Sequence, residues 1–92
     1  MSIANELIVR GWHQGRSEGP DKSVCLLGAV GCALRGSAYM WPEVEELDRL
    51  FPSLGDHWVD ISRWNDNPAR TFDEVLRTAR LADEILDAER DA

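Results

Sequence analysis

Cys25 stands near the start of an apolar run, SVCLLGAVGCALRG at residues 23–36, where its residue type and position could do chemistry. A thiol at a helix N-terminus feels the partial positive charge of unpaired amides, which lowers its pKa and favours the nucleophilic thiolate. His13 and His57 are the two candidate bases, with Gln14 or Asn65 as polar support. Together these are the parts of a Cys–His hydrolase or transferase. The neighbours argue otherwise. Val24, Leu26 and Leu27 suit a buried thiol, and free cysteine is among the most buried residue types. The sequence therefore favours Cys25 as a packing strut and assigns no catalytic residue. A thiol enzyme using Cys25, with His57 or His13 as base, is the alternative.

Metal chemistry has weaker support. Structural zinc takes four ligands, usually in closely spaced pairs, and Cys25, Cys32, His13 and His57 match no such spacing. Neither a metal nor another cofactor is expected. On one helix, Cys25 and Cys32 would be about 10 Å apart, too far for a disulfide.

A second constellation is RWNDNPARTFDEV, residues 63–75. Asn65, Asp66 and Asn67 bond nearby backbone groups and favour turns, while Pro68 fixes the chain that follows. Asn65 and Asp66 could also pin loops from elsewhere, with Arg70 as a partner for Asp66. Two readings stay open. One is an interhelical turn; the other is a polar pocket beside Trp64 and Trp12, with the GWHQG loop (residues 11–15) as its second wall and Gln14 as donor and acceptor. The candidate binding residues here are Trp12, Gln14, Trp64, Asn65, Asp66 and Arg70.

Charge adds a third group. The 92 residues carry a net charge of −7, unevenly placed: four basic and three acidic groups in residues 1–41, six and fourteen in residues 42–92. Phosphates must be met by Lys and Arg, so direct nucleic-acid binding is not expected. The acidic half, led by Glu43, Glu45 and Glu46, could meet a basic protein partner or imitate nucleic acid.

These residues need elements to hold them. Ser2 can cap a first helix carrying Ile3, Leu7, Ile8 and Val9, which Gly11 ends. Residues 11–22 read as a polar loop. Ser23 and Gly36 bracket a second helix, apolar all round, in which Cys25, Gly28, Ala29 and Cys32 form a stripe of small residues. Gly28 costs roughly 1 kcal/mol against Ala in a helix, so a close neighbour is expected there. Pro42 starts a third helix that Pro52 stops. Residues 56–64 fit a helix capped by Asp56 better than a strand, since no partner strand is evident. Thr71 and Glu74 form a capping box for a last helix over 71–88, with Asp73–Arg77 and Arg80–Glu84 pairs on its charged side and a frayed tail. The expected fold is all-α: a compact single domain, residues 1–92, of four to five short helices around a buried central helix at about 23–35. Trp12, Trp41, Trp58 and Trp64 would supply much of its core.

Three stretches carry a resemblance: GWHQG at 11–15, VCLLGAVG at 24–31 and RWNDNPARTFDEV at 63–75. In this order the chain resembles a family of small proteins of actinobacteria and their phages that share G-W-x-x-G, C-L-x-G-A and W-N-D-x-P-x-R-T-x-x-E-V elements. No enzymatic activity comes with the resemblance. It implies a phage-encoded or actinobacterial protein that acts by binding a bacterial host protein, and its shared elements include neither Cys32 nor either histidine. Two cysteines, no apolar leader and no run long enough to cross a bilayer add the expectation of a cytoplasmic protein without a membrane partner. Such a small helical domain could also pair as a homodimer.

Overall fold

In the computed structural model, residues 2–16, 18–19, 21–55 and 57–91 are described. They form five helices: α1 (Ile3–Arg10), α2 (Leu26–Arg35), α3 (Val44–Leu50), α4 (Trp58–Asp66) and α5 (Phe72–Asp91). The all-α expectation holds. The radius of gyration, 11.8 Å, is close to the ~12 Å of a compact chain of this length.

Helix α2 is central because it has no polar face to offer water. Residues Leu26 to Cys32 are all buried, with α1 packed on one side and α4 on another. Gly36 ends it in the left-handed conformation (φ 81°) and donates its N–H to Cys32 O. The expected Ser23 cap is corrected. Residues 23–25 run extended instead, with Val24 bridging Trp12 and Glu18, and the cap is Cys25, whose Sγ accepts from Gly28 N at 3.3 Å. Close approach occurs at Gly31. A methyl group on Gly31 would collide with Ser37 O and lie 3.2 Å from Met40 O, so the 37–40 loop backbone lies directly over it.

The first and last helices are tied together by charge. Ser2 caps α1 through Asn5 N as expected, but the next two free amides, Ile3 N and Ala4 N, donate to the two oxygens of Asp83 on α5 at 2.8 and 3.0 Å. An anion is favoured at a helix N-terminus, and here α5 supplies it. Only Ile3, Ala4 and Leu7 turn α1's apolar side inward; Ile8 and Val9 are exposed, contrary to the expected stripe.

The capping box of α5 forms in both directions. Thr71 N donates to Glu74 Oε1 at 3.0 Å, and Glu74 N donates to Thr71 Oγ1 at 3.2 Å. The helix continues to Asp91 instead of fraying after Ala88. Asp73–Arg77 and Arg80–Glu84 are not ion pairs; Arg70–Glu74 and Arg49–Glu89 are. Helix α3 is shorter than expected, because Pro42 precedes it and Glu43 occupies its N-cap. Residues 58–66 are helix, not strand. The expected cap Asp56 lies outside the described residues, and His57 caps α4 through Val59 N.

The tryptophans divide. Trp12 and Trp64 pack on the core, whereas Trp41 and Trp58 are 39% and 37% exposed. Leu, Ile and Val from α1, α2 and α5, with Leu47, Leu50 and Phe51, fill the interior in their place.

Candidate functional site

Asn65 sits in the last turn of α4 and is fully buried. Its Oδ1 accepts from Trp12 Nε1 at 2.7 Å and from Leu26 N at 3.0 Å. Its Nδ2 donates to His13 O at 3.3 Å and to Asp66 Oδ1 at 3.0 Å. All four hydrogen-bonding positions of the buried amide are used. Around it, Gln14 Nε2 donates to the carbonyls of Asn65 and Asn67 at 2.9 and 2.8 Å, and Gly15 N donates to Asp66 Oδ1 at 2.8 Å. Trp12, Gln14, Asn65 and Asp66 are therefore brought together, and the GWHQG loop does face the end of α4. The network is internally satisfied. Its geometry is that of a pin holding one loop and the start of α2 against α4.

Trp64 and Arg70 make a neighbouring stack. The Arg70 guanidinium lies 4.0 Å from the Trp64 ring centre and donates to Trp64 O at 2.9 Å and to Glu74 at 3.0 Å. The expected Arg70–Asp66 pair is corrected, since Asp66 spends its contacts on Gly15 and Asn65. The Trp12 ring stacks on Phe72, 5° from parallel.

Beside this pin the loop holds a chain that sequence reading missed. Ser23 Oγ donates to Asp21 Oδ1 at 2.5 Å and lies 2.9 Å from His13 Nδ1. The bonds from the Ser23 hydroxyl and amide hold the Asp21 carboxyl below the usual carboxylate range. With the hydroxyl proton directed at that carboxylate, the serine oxygen accepts from a protonated Nδ1. This proton order is the reverse of a serine nucleophile activated by histidine. His13 Nε2 is buried without a partner among the described residues, and Gly19 leaves the space the chain needs, since a Cβ there would lie 3.0 Å from Ser23 Oγ and 3.2 Å from His13 Nδ1.

Cys25 is 5% exposed, and burial pushes its thiol up despite the amides of Gly28 and Leu27. Its sulfur lone pair is engaged by the cap. Neither His13, bonded to Ser23, nor His57, capping α4, is hydrogen-bonded to it. Cys25 and Cys32 are both buried free thiols. Among the described residues no group of three His, Cys, Asp or Glu side chains is placed to hold a metal ion, and no helix is long and apolar enough to cross a membrane.

The acidic candidates lie at the start of α3. Glu43 stands at the N-cap position of α3 without a side-chain capping bond, Glu45 is exposed, and Glu46 pairs with Arg35 at 3.1 Å. Two residues before Glu43 lies Trp41, in an aromatic patch whose tryptophans, Trp41 and Trp58, the sequence assigned to the core. Tyr39 is 67% exposed and Met40 55%, in the loop that Gly31 admits over α2. Trp41 follows, its Nε1 donating to Ala38 O at 2.9 Å and its ring 5.8 Å from that of Trp58. Val59 and the His57 ring, 4.2 Å from Trp58, extend the patch. One signal was available: Tyr39, Met40 and Trp41 are consecutive between Gly36 and Pro42, and three large neighbours in a short loop cannot all face inward.

A family model described as a family of unknown function, DUF6197, matches residues 2–85, and the chain belongs to that family. No curated protein and no solved structure matches the chain.

Proposed function

We propose that this DUF6197 member is a non-enzymatic binding module that docks on a bacterial protein through Tyr39, Met40, Trp41, Trp58 and Val59. The observation that carries the reading is the Trp41–Trp58 pair, two indoles packed on each other at the surface beside three further exposed large apolar side chains. Aromatic residues and Met are the side chains enriched at the centres of protein interfaces, and Trp dominates their binding energy. Glu43 and Glu45, just after Trp41 in the chain, favour a partner with a basic rim, which they would steer and orient more than anchor. The Asn65 pin and the Gly31 crossing give the patch a fixed backbone, so little ordering entropy is lost on binding.

An actinobacterial or phage setting and a cytoplasmic location complete the proposal. They rest on the GWHQG, VCLLGAVG and RWNDNPARTFDEV resemblance and on cysteines kept as free thiols. The experiment is quantitative capture from actinobacterial lysate with wild-type, Trp41→Ala/Trp58→Ala and Glu43→Lys/Glu45→Lys baits. The aromatic double variant should lose the enriched partner, and the charge variant should weaken it most at low salt. A partner held equally well by the folded aromatic variant would refute the patch.

A further inference from the structure

We propose that the outer face of α5 is a self-association surface, on which α5 of a second copy of this chain packs antiparallel across Leu81. Leu81 is 56% exposed in the middle of a 20-residue helix, so burying it against a partner would gain apolar contact. It borders an apolar groove of about 430 Å³, walled by Leu50, Phe51, Pro52, Thr78, Ile85 and Ala88. A projecting leucine and a recess beside it on one face are the two halves of an isologous contact, because a two-fold axis sets each copy's projection against the other's recess.

Charge selects the second copy and the antiparallel direction. Arg77 precedes Leu81 by four residues and Glu84 follows it by three, so both lie on the same side of the helix as Leu81. Neither makes an ion pair among the described residues, nor do Asp73 and Arg80, although their spacing would allow pairs along the helix. A two-fold axis between residues 80 and 81 places Arg77 opposite Glu84 of the second copy, and Glu84 opposite Arg77, giving two equivalent pairs. A parallel arrangement would set like charges together. The face is locally balanced, Arg77 and Arg80 against Asp73 and Glu84, so the net charge of −7 does not concentrate where the copies meet. A basic segment of another protein would gain nothing from the two arginines.

This surface is separate from the aromatic patch, and its test does not depend on the binding reading. Sedimentation equilibrium of the full chain over a concentration series measures the dimer constant, with circular dichroism as the fold control. Wild type and Trp41→Ala/Trp58→Ala should dimerise alike. Glu84→Arg and Arg77→Glu, each turning two attractions into repulsions, should each raise the dissociation constant about tenfold. The double variant Arg77→Glu/Glu84→Arg should restore dimerisation, and Leu81→Asp should abolish it. The proposal is overturned by a wild type that stays monomeric up to its solubility limit, by dimers insensitive to both single reversals, or by a double variant no better than the singles.

Discussion

The indole N–H of Trp12 and the amide of Leu26 converge on one oxygen, Asn65 Oδ1, at 2.7 and 3.0 Å, 53 and 39 residues away in sequence. The contact joins the loop after α1, the start of α2 and the end of α4 at a site with no access to water. A buried donor left without its acceptor costs about 1–3 kcal/mol. Asn65→Ala orphans both donors and should destabilise by about 2–5 kcal/mol in urea unfolding. Trp12→Phe keeps the ring against Phe72 and leaves Oδ1 bonded to Leu26, so it should cost only about 1 kcal/mol. Equal losses from the two substitutions would show that the amide is not the pin.

Cys25 caps α2 with sulfur, and a hydroxyl caps better. Cys25→Ser should therefore stay within about 0.5 kcal/mol of wild type, while Cys25→Ala should lose about 1 kcal/mol with the cap. Burial holds the thiol protonated, so alkylation at pH 8 should be slow in the native protein and normal in denaturant. Fast native alkylation, or an alanine variant as stable as the serine one, would count against the capping role.

Gly31 is where the loop bearing Tyr39 and Met40 crosses α2, and a methyl group there meets the Ser37 carbonyl. Gly31→Ala has to push that loop outward, at a cost of about 1–3 kcal/mol as an overpacked site. An ordinary helix position would instead gain up to ~1 kcal/mol from the same change. The displaced loop carries the aromatic patch with it, so partner capture should fall together with stability. A stabilised variant with intact capture would disprove the crossing.

What the sequence disclosed was mostly local. The capping box at Thr71–Glu74, the glycine stops at Gly11 and Gly36 and the all-apolar run of α2 are signals read within one or two turns, and each has its structural counterpart. The sequence left the juxtaposition of GWHQG with Asn65 and Asp66 open beside a plain interhelical turn, and the bonds from Gln14 and Gly15 to that segment decide for it. Asp83 capping α1 was not legible, since an acidic residue within a charged helix gives no sign of an amide pair some 80 residues earlier. Ser23 looked like a cap by residue type, yet Asp21 two residues before it captured its hydroxyl. Trp41 and Trp58 were misplaced for a related reason. Hydrophobicity predicts burial only when the backbone can turn the side chain inward, and at residues 39–41 it cannot.

Acid should unfold the protein partly through Glu74. Its carboxylate accepts from Thr71 N and from Arg70, contacts that hold its pKa below the ordinary value, with the Thr71 amide as the leading cause. A pKa lower in the folded chain than in the unfolded one, where glutamate titrates at about 4.3, means the unfolded state binds more protons at low pH. The contribution is therefore full above about pH 4.3 and is lost as pH falls through the folded value. Glu74→Gln keeps an acceptor for Thr71 N but cannot titrate. Urea midpoints measured between about pH 3 and 7 should show wild type and Glu74→Gln separated at neutral pH and converging on acidification. A separation that stays constant across that range would show that the Glu74 carboxylate has the same proton affinity folded and unfolded.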